Sequence, residues 1–401
     1  MNSKTERIHS LDALRAIMML LGVVFHSAIS YCVYDQGRTW PLKDVGSTSL
    51  GIDYIVGYIH IFRMPIFFVV AGFFGALLFY ERSPIFMLKN RVNRLLLPFI
   101  VFVILLWPIL GSSYLYTYEA FSGSPLPEAS EPFHLGLLIP QSSFHLWFLQ
   151  YLFMISGLVV CVALFFKQIP TFATKLSKLT SKVLNNVLLK ILLSTLVLFT
   201  ILLLMNEAWV DTTNYFIPNW KTMLFYTTFY IFGWLLYASK KDLATFMAYD
   251  WLLFVSSLIL FALVLFNKEA LSITMTMLLN ALMVSLCLFS ITGLFIRYFS
   301  KSSSKMRYIS DASYWVYIIH MPITLAGPGF LVTFLWSPFL KFFCLSLVTT
   351  LIAFISYHYC VRSTFIGKFL NGRVHPKSSL KEVWPAEPVN PIEVPEPPYE
   401  G

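Results

Sequence analysis

Acidic, basic and histidine side chains occur within the first long apolar stretch of the sequence, at Asp12, Arg15 and His26. On an α-helix, with about 100° per residue, these spacings direct all three side chains toward one face. A rise of about 1.5 Å per residue puts His26 roughly 16 Å beyond Arg15. Ionisable groups deep in a span cost about 2.5 to 3.5 kcal/mol and usually serve function. We therefore take the three as candidate catalytic residues along a polar path, although an interfacial ion pair would also explain Asp12 and Arg15.

The second apolar stretch has the same kind of polar face. His60 and Arg63 share one side of a helix, and Pro65 follows them. A proline inside a helix leaves a backbone carbonyl without its donor and can bend the helix. We expect His60 and Arg63 to meet His26 at a similar depth in a substrate pocket. A hydrogen-bonded network that only joins helices would use the same residues.

Three further side chains are candidates for this pocket: His145, Trp147 and His320. His145 and Trp147 lie where the fourth apolar stretch begins, and His320 lies near the middle of the ninth. A tryptophan at a membrane interface is commonly an anchoring residue. A lone histidine can equally be bonded to a neighbouring carbonyl. The pocket assignment and these structural roles remain alternatives from the sequence alone.

Arg91 and Arg94 are three residues apart at the start of the third apolar stretch. Two guanidinium groups on one helical face suit the oxygens of phosphate groups, because each can donate two hydrogen bonds. Anchoring of the span on its cytoplasmic side would require the same residues. We predict that this pair binds an anionic donor.

These residue types are suited to moving a proton and holding an anion. A neutral histidine in a helix bundle can activate a hydroxyl group, while arginines at the inner rim hold a phosphate-bearing donor. Such an arrangement describes acyl transfer across a membrane. A proton-coupled transporter of a glycan or a small anion could use the same histidines, and spacing does not separate the two hypotheses.

The elements that position these residues are predicted to be membrane helices. Hydrophobic residues form 57% of the 401-residue chain and charged residues only 12%, against about 25% charged in soluble domains. We predict an all-α, polytopic membrane protein with about ten spans, near 11-32, 52-80, 95-112, 144-166, 187-206, 222-238, 250-266, 271-295, 312-335 and 338-360. The five cysteines show no spacing typical of a disulfide framework or a zinc site, and no metal is expected.

The basic residues predict the orientation. A formal net charge of +9 comes from clusters between the apolar runs, which argues against nucleic-acid binding. With a cytoplasmic N-terminus, 22 lysines and arginines fall inside and five outside, so both termini are predicted to be cytoplasmic. We divide the chain into a cytoplasmic segment 1-10, a membrane domain 11-365 and a disordered tail 366-401 rich in proline and glutamate. The loop 111-143, acidic and free of lysine and arginine, is predicted to face outward.

Several segments together resemble the acyltransferase-3 family of membrane acyltransferases. They are Leu11-Asp12-Ala13-Leu14-Arg15-Ala16 with His26, Phe67-Phe68-Val69-Val70-Ala71-Gly72-Phe73, the Arg91 and Arg94 pair, His145-Leu146-Trp147-Phe148-Leu149 and Tyr317-Ile318-Ile319-His320. The resemblance covers about residues 8 to 365. It implies that His26 is the catalytic histidine, that Arg15 works with it, and that Arg91 and Arg94 bind the coenzyme A end of acyl-CoA.

Two segments are most similar to the branch of this family that succinylates osmoregulated periplasmic glucans: Met18-Met19-Leu20-Leu21-Gly22 and His60-Ile61-Phe62-Arg63-Met64. That resemblance implies a bacterial inner-membrane enzyme with succinyl-CoA as co-substrate and no permanently bound cofactor. It also implies a periplasmic glucan or another envelope glycan as acceptor, and glucan-synthesis proteins as partners. We expect Arg63 to neutralise a succinyl carboxylate. Many family members have an acidic residue before the paired phenylalanines, whereas this chain has Met64-Pro65-Ile66.

Overall fold

The protein is built from α-helices, as a computed structural model that describes residues 8-37, 40-123, 139-210 and 214-372 shows. No β-strand occurs in these ranges, so the all-α prediction is confirmed. The helices are α1 (His9–Ala28), α2 (Leu50–Glu81), α3 (Pro84–Arg91), α4 (Leu97–Ser122), α5 (Trp147–Lys167), α6 (Pro170–Leu184), α7 (Val187–Met205), α8 (Trp220–Ala238), α9 (Asp250–Phe266), α10 (Ile273–Phe299), α11 (Ser304–Leu331), α12 (Pro338–Ser356) and α13 (Phe365–Asn371).

Polar residues mark where these apolar helices begin. Side chains of serine or asparagine accept a hydrogen bond from a first-turn N–H group in seven helices of the described chain: α2, α3, α7, α8, α10, α11 and α12. Each such cap satisfies a backbone donor that the helix itself leaves unpaired. The caps therefore separate neighbouring apolar runs into distinct helices.

The chain is a multi-pass membrane protein. Seven helical stretches in the described residues are long and apolar enough to cross a membrane. An eighth is added if the bent pair Lys240–Met247 and α9, which meet at 64°, forms one span. The helices α8 and α11 are not among these stretches, because tyrosine, threonine, serine and other polar residues dilute their apolar character. The number of ten spans and the cytoplasmic termini stay predictions.

The first helix, α1, packs against α2, α10, α11 and α12. The closest helix pair is α2 and α8, where two glycines allow the backbones to touch. A Cβ atom at Gly72 would lie 2.0 Å from the carbonyl oxygen of Tyr230, and one at Gly233 would lie 1.9 Å from that of Val69. Any side chain at either position would force these helices apart.

The bundle has two ends, which we name by their residues. The loop end carries the segment that joins α1 to α2, and the arginine end carries Arg15, Arg91 and Arg94. At the loop end, Lys341 at the start of α12 donates a 2.8 Å hydrogen bond to Asp44 of the joining segment. Asp53 in the first turn of α2 accepts hydrogen bonds from the backbone N–H groups of Val33 and Tyr34. These contacts fix the segment over the end of α1.

Three helices differ from the sequence prediction. The helix α4 continues to Ser122, so Glu119, predicted in an outward loop, is helical, while Glu128 and Glu131 lie outside the described residues. The helix α6 was not predicted, because its lysines make it amphipathic and it is too short for a span. The helix α13 brings residues 366–371, assigned to the tail, into the folded body, and the rest of the tail lies outside the described residues.

Candidate active site

His26 lies near the end of α1, in the wall of a cavity of about 490 Å³ that opens at the loop end. Its Nδ1 atom is fully buried without a hydrogen-bond partner in the described structure, whereas the side chain as a whole is partly accessible. The edge that carries Nε2 therefore faces the cavity. The ring packs against Trp40 and His320, with ring centroids 5.6 and 5.3 Å away.

Aromatic and polar side chains line the cavity together. The aromatic residues include Tyr34, Trp40, Tyr114, Trp147 and Trp209. Polar atoms come from further lining residues: Asp35, Gln36, Asn214 and Lys268. A pocket with apolar walls and a few polar groups suits a small organic ligand or one end of a larger one.

His60 and Arg63 of α2 reach the same cavity, as their spacing predicts. The His60 ring stacks on Trp209 with centroids 5.0 Å apart. The Arg63 guanidinium lies over the Phe25 ring, 5.1 Å from its centroid. Gly22 provides the room for it, because a Cβ atom there would lie 2.8 Å from Arg63 Nη1.

His145 is held by the backbone of α11. Its Nε2 lies 3.0 Å from the carbonyl oxygen of Ile318. That carbonyl lacks its usual helical donor, because the residue four positions later is Pro322, which has no N–H group. The Tyr317 hydroxyl in turn donates to the His145 carbonyl over 2.6 Å. Since Nε2 carries the donated proton, neutral His145 leaves its buried Nδ1 as an acceptor.

His320 has the complementary arrangement. Its Nδ1 lies 2.7 Å from the Tyr317 carbonyl oxygen, which assigns the proton to Nδ1 and leaves Nε2 as an acceptor. That Nε2 is buried and has no hydrogen-bond partner in the described structure. The ring centroids of His320 and His145 are 5.3 Å apart. Four histidines from α1, α2, α11 and the turn before α5 thus lie near one another: His26, His60, His145 and His320. The His320 ring contacts the rings of His26 and His145, and the Phe25 ring contacts those of His26 and His60.

A second, narrow chamber of about 30 Å³ lies on the other side of His26. His26, Arg63, His145 and Trp147 line both this chamber and the larger cavity. The chamber continues along α1 to Met18 and Met19, one helical turn from Arg15. His26 therefore lies between the cavity at the loop end and a small chamber that extends toward the arginine end.

Asp12 and Arg15 lie apart from this site, at the arginine end. Arg15 Nη2 is 3.4 Å from the Asp12 carboxylate and 3.3 Å from the Ser310 hydroxyl of α11. Its guanidinium lies over the Phe74 ring of α2. These contacts join three helices, and they place neither residue among the side chains that line the two spaces around His26.

Arg91 and Arg94 also contact neighbouring helices at the arginine end. Arg91 is buried and donates to the Ala71 carbonyl over 3.1 Å, and its Nε has no partner in the described structure. Arg94 donates to the Leu370 carbonyl of α13, and its own carbonyl accepts from Tyr314 of α11. Both arginines thus bind backbone oxygens here. Arg15 and Arg91 approach consecutive positions of α2, Phe74 and Gly75, so their charges lie at one level.

Sequence reasoning missed Trp40 and Trp209, which contact His26 and His60 directly. The Trp40 indole donates to the Ser30 hydroxyl over 2.9 Å, which fixes its ring beside His26. Both tryptophans lie in segments between helices. A tryptophan that follows an apolar run was the only signal in the sequence that could have indicated them. Across the described ranges, no group of three or more His, Cys, Asp or Glu side chains is arranged to hold a metal ion.

Comparison with known proteins identifies the family of the chain. Residues 8–358 match the acyltransferase-3 family, described as an acyltransferase domain. The chain belongs to this family. It is 27% identical over 384 residues to glucans biosynthesis protein C of Escherichia coli O157:H7 and of Escherichia coli K12, which covers 92% of this chain and 95% of each relative. The resemblance that the sequence motifs indicated is confirmed. No solved structure matches the chain.

Proposed function

We propose that this membrane acyltransferase moves a succinyl group from cytoplasmic succinyl-CoA to a hydroxyl group of a periplasmic glucan, with His26 as general base. Membership of the acyltransferase-3 family supports the reaction class. The name of the similar glucans biosynthesis protein C supports a glucan as the acceptor. Acyl-CoA acts as co-substrate in this proposal, without a permanently bound cofactor.

The position of His26 carries the proposal. Its accessible edge faces the cavity at the loop end, and the same side chain lines the narrow chamber toward the arginine end. An acceptor hydroxyl from one side and a thioester from the other would meet at this ring. Holding both reactants in one place converts a bimolecular reaction into an effectively unimolecular one.

The chemical step follows from the histidine's two nitrogens. Nε2 of His26 takes the proton of the acceptor hydroxyl while the oxygen attacks the thioester carbonyl carbon. The carbon–sulfur bond breaks, and coenzyme A leaves as a thiolate that takes the proton back from His26. In this role the N–H proton of neutral His26 lies on its buried Nδ1. The ring of His320, whose Nε2 is an acceptor, packs beside it with centroids 5.3 Å apart. One ester forms for each thioester consumed.

The two ends of the bundle suit the two substrates. The cavity at the loop end presents tryptophan and tyrosine rings with amide and carboxylate groups, a lining that accommodates a sugar ring and its hydroxyls. The arginine end holds the positive charges of Arg15, Arg91 and Arg94. Their side chains contact Asp12 and backbone carbonyls there, and their charge would attract the phosphates of coenzyme A. The excess of basic residues on that side supports a cytoplasmic location for it.

The test compares periplasmic glucans from cells that produce the wild-type protein, a His26→Ala variant or a His9→Ala variant. His9 is the first residue of the same helix and serves as the control. We expect the mass increments of succinyl groups in the wild type and the control, and their absence in His26→Ala at equal membrane abundance. Near-normal succinylation in His26→Ala would refute the role of His26, and unmodified glucans in the wild type would refute the acceptor.

A further inference from the structure

Arg63 is a partly buried cation, and the described part of the protein provides no anion for it. No carboxylate among the described residues lies within ion-pair distance of it, and its Nε is fully buried without a partner. The two buried lysines of the described chain have hydrogen-bond partners: Lys341 pairs with Asp44, and Lys190 donates to the Thr245 carbonyl. A charge inside a membrane protein is costly unless it is paired or serves a ligand or pathway.

The two carboxylates in the described wall of the cavity, those of Asp35 and Asp53, already have partners. Asp53 accepts the backbone N–H groups of Val33 and Tyr34 at 2.7 and 3.0 Å. Asp35 pairs with Lys43 at 2.8 Å. Both carboxylates therefore bind groups of the loop end. The charge of Arg63 remains available to a ligand that enters the site.

The position of Arg63 limits what that ligand is. Arg63 lines both the cavity and the narrow chamber, next to His26. Its guanidinium packs against Gly22 and Phe25, and Gly22 lies one helical turn, about 5.4 Å, before His26. A group bound by Arg63 therefore lies in the same spaces as the reacting carbonyl at His26.

We infer that Arg63 binds the terminal carboxylate of the transferred acyl group, so that the enzyme selects short dicarboxylic acyl donors over neutral ones of similar size. The inference rests on the proposed function. It assigns to Arg63 the preference of the enzyme for a succinyl group. A guanidinium binds a carboxylate through charge-assisted hydrogen bonds, often in pairs. Such contacts contribute roughly 10- to 100-fold in affinity. An acetyl group has no carboxylate and gains nothing from Arg63.

The test is a competition between equimolar succinyl-CoA and acetyl-CoA, supplied to the cytoplasmic face of inside-out vesicles that enclose glucan. The ratio of succinyl to acetyl groups on the glucan is measured by mass spectrometry. We expect the wild type to favour succinyl by at least about 10-fold, and Arg63→Gln to lower that ratio by about 10- to 100-fold. Lys190→Met removes a buried cation elsewhere in the bundle and is expected to keep the wild-type ratio.

A second variant addresses the case in which Arg63→Gln does not fold. In Gly22→Ala the new Cβ displaces the guanidinium without removing its charge, because it would lie 2.8 Å from Nη1. We expect a ratio between those of the wild type and Arg63→Gln. Gly157→Ala is the matched control, because nothing lies within 4 Å of its added Cβ.

The outcomes separate the two proposals. Equal losses of succinyl and acetyl transfer in both Arg63→Gln and Gly22→Ala would overturn the inference. A wild-type protein that transfers acetyl as readily as succinyl would also overturn it, while leaving the acyltransferase intact. A wild-type protein that transfers neither group would overturn the proposed function together with the inference.

Discussion

The buried ion pair between Asp44 and Lys341 offers the sharpest test of how the loop end is held. Asp44 Oδ2 and Lys341 Nζ are 2.8 Å apart, and their side chains are only 4% and 3% exposed. The pair joins the segment between α1 and α2 to the start of α12, and the backbone N–H of Asp44 also donates to the Ser30 carbonyl. The same segment carries Trp40, whose ring packs on His26. Breaking the pair should therefore affect both stability and activity.

The expected magnitude follows from the burial. Removing one partner of a buried pair leaves an uncompensated charge and costs about 3 to 5 kcal/mol. Unfolding entropy is roughly 2 cal/mol/K per residue, so this loss lowers Tm by about 4 to 6 °C for a chain of 401 residues. Asp44→Asn and Lys341→Met should each show it. The double variant Asp44→Leu with Lys341→Met removes both charges and should recover most of the loss, because replacing both partners by apolar groups is close to neutral.

The assay measures thermal unfolding of the purified proteins in detergent and acyl transfer in vesicles. We expect both single variants to lose activity through the displaced Trp40, and the double variant to regain stability. Lys221→Met is the control, because Lys221 pairs with Glu207 at 2.6 Å in an exposed position and should shift Tm by less than about 1 °C. Single variants that unfold at the wild-type temperature, or a double variant no better than either, would refute the reasoning.

Three further predictions follow from single contacts. Trp40→Phe keeps a ring over His26 but loses the indole hydrogen bond, worth about 1 kcal/mol, so transfer should fall about fivefold at unchanged abundance; an unchanged rate in vesicles would contradict this. Gly72→Ala pushes a Cβ against the backbone of α8 and should destabilise the protein by about 1 to 3 kcal/mol in detergent unfolding, unlike Gly157→Ala. Arg91→Gln should raise KM for acyl-CoA far more than it lowers kcat in steady-state kinetics, if Arg91 binds the donor.

The helical architecture could be predicted because apolar runs and basic clusters mark membrane helices directly. Each of the ten predicted spans overlaps a helix of the structure. The predictions fail where periodicity gives no signal. The helix α6 is amphipathic, with lysines along it, and α13 is short, so neither has the length of a span. The extension of α4 follows from tyrosine and serine residues that are compatible with a helix but lower its hydropathy.

The site was predictable to the extent that it lies on regular helices. Spacing along α1 and α2 brought His26, His60 and Arg63 to one place. Spacing could not show what each histidine binds, because the partners are carbonyls of a distant helix. Nor could it place Trp40, whose position depends on an ion pair between residues almost 300 positions apart.

Backbone carbonyls of α11, rather than acidic side chains, orient two histidines of the site. Pro322 leaves the Ile318 carbonyl free for His145, and the Tyr317 carbonyl binds His320. Both histidines are therefore oriented without a carboxylate, in contrast to sites in which an acid orients the base. A carboxylate built into the protein would also have paired with Arg63 and removed its charge from use. Fixing the histidines through neutral carbonyls keeps that charge free for an anionic acyl group.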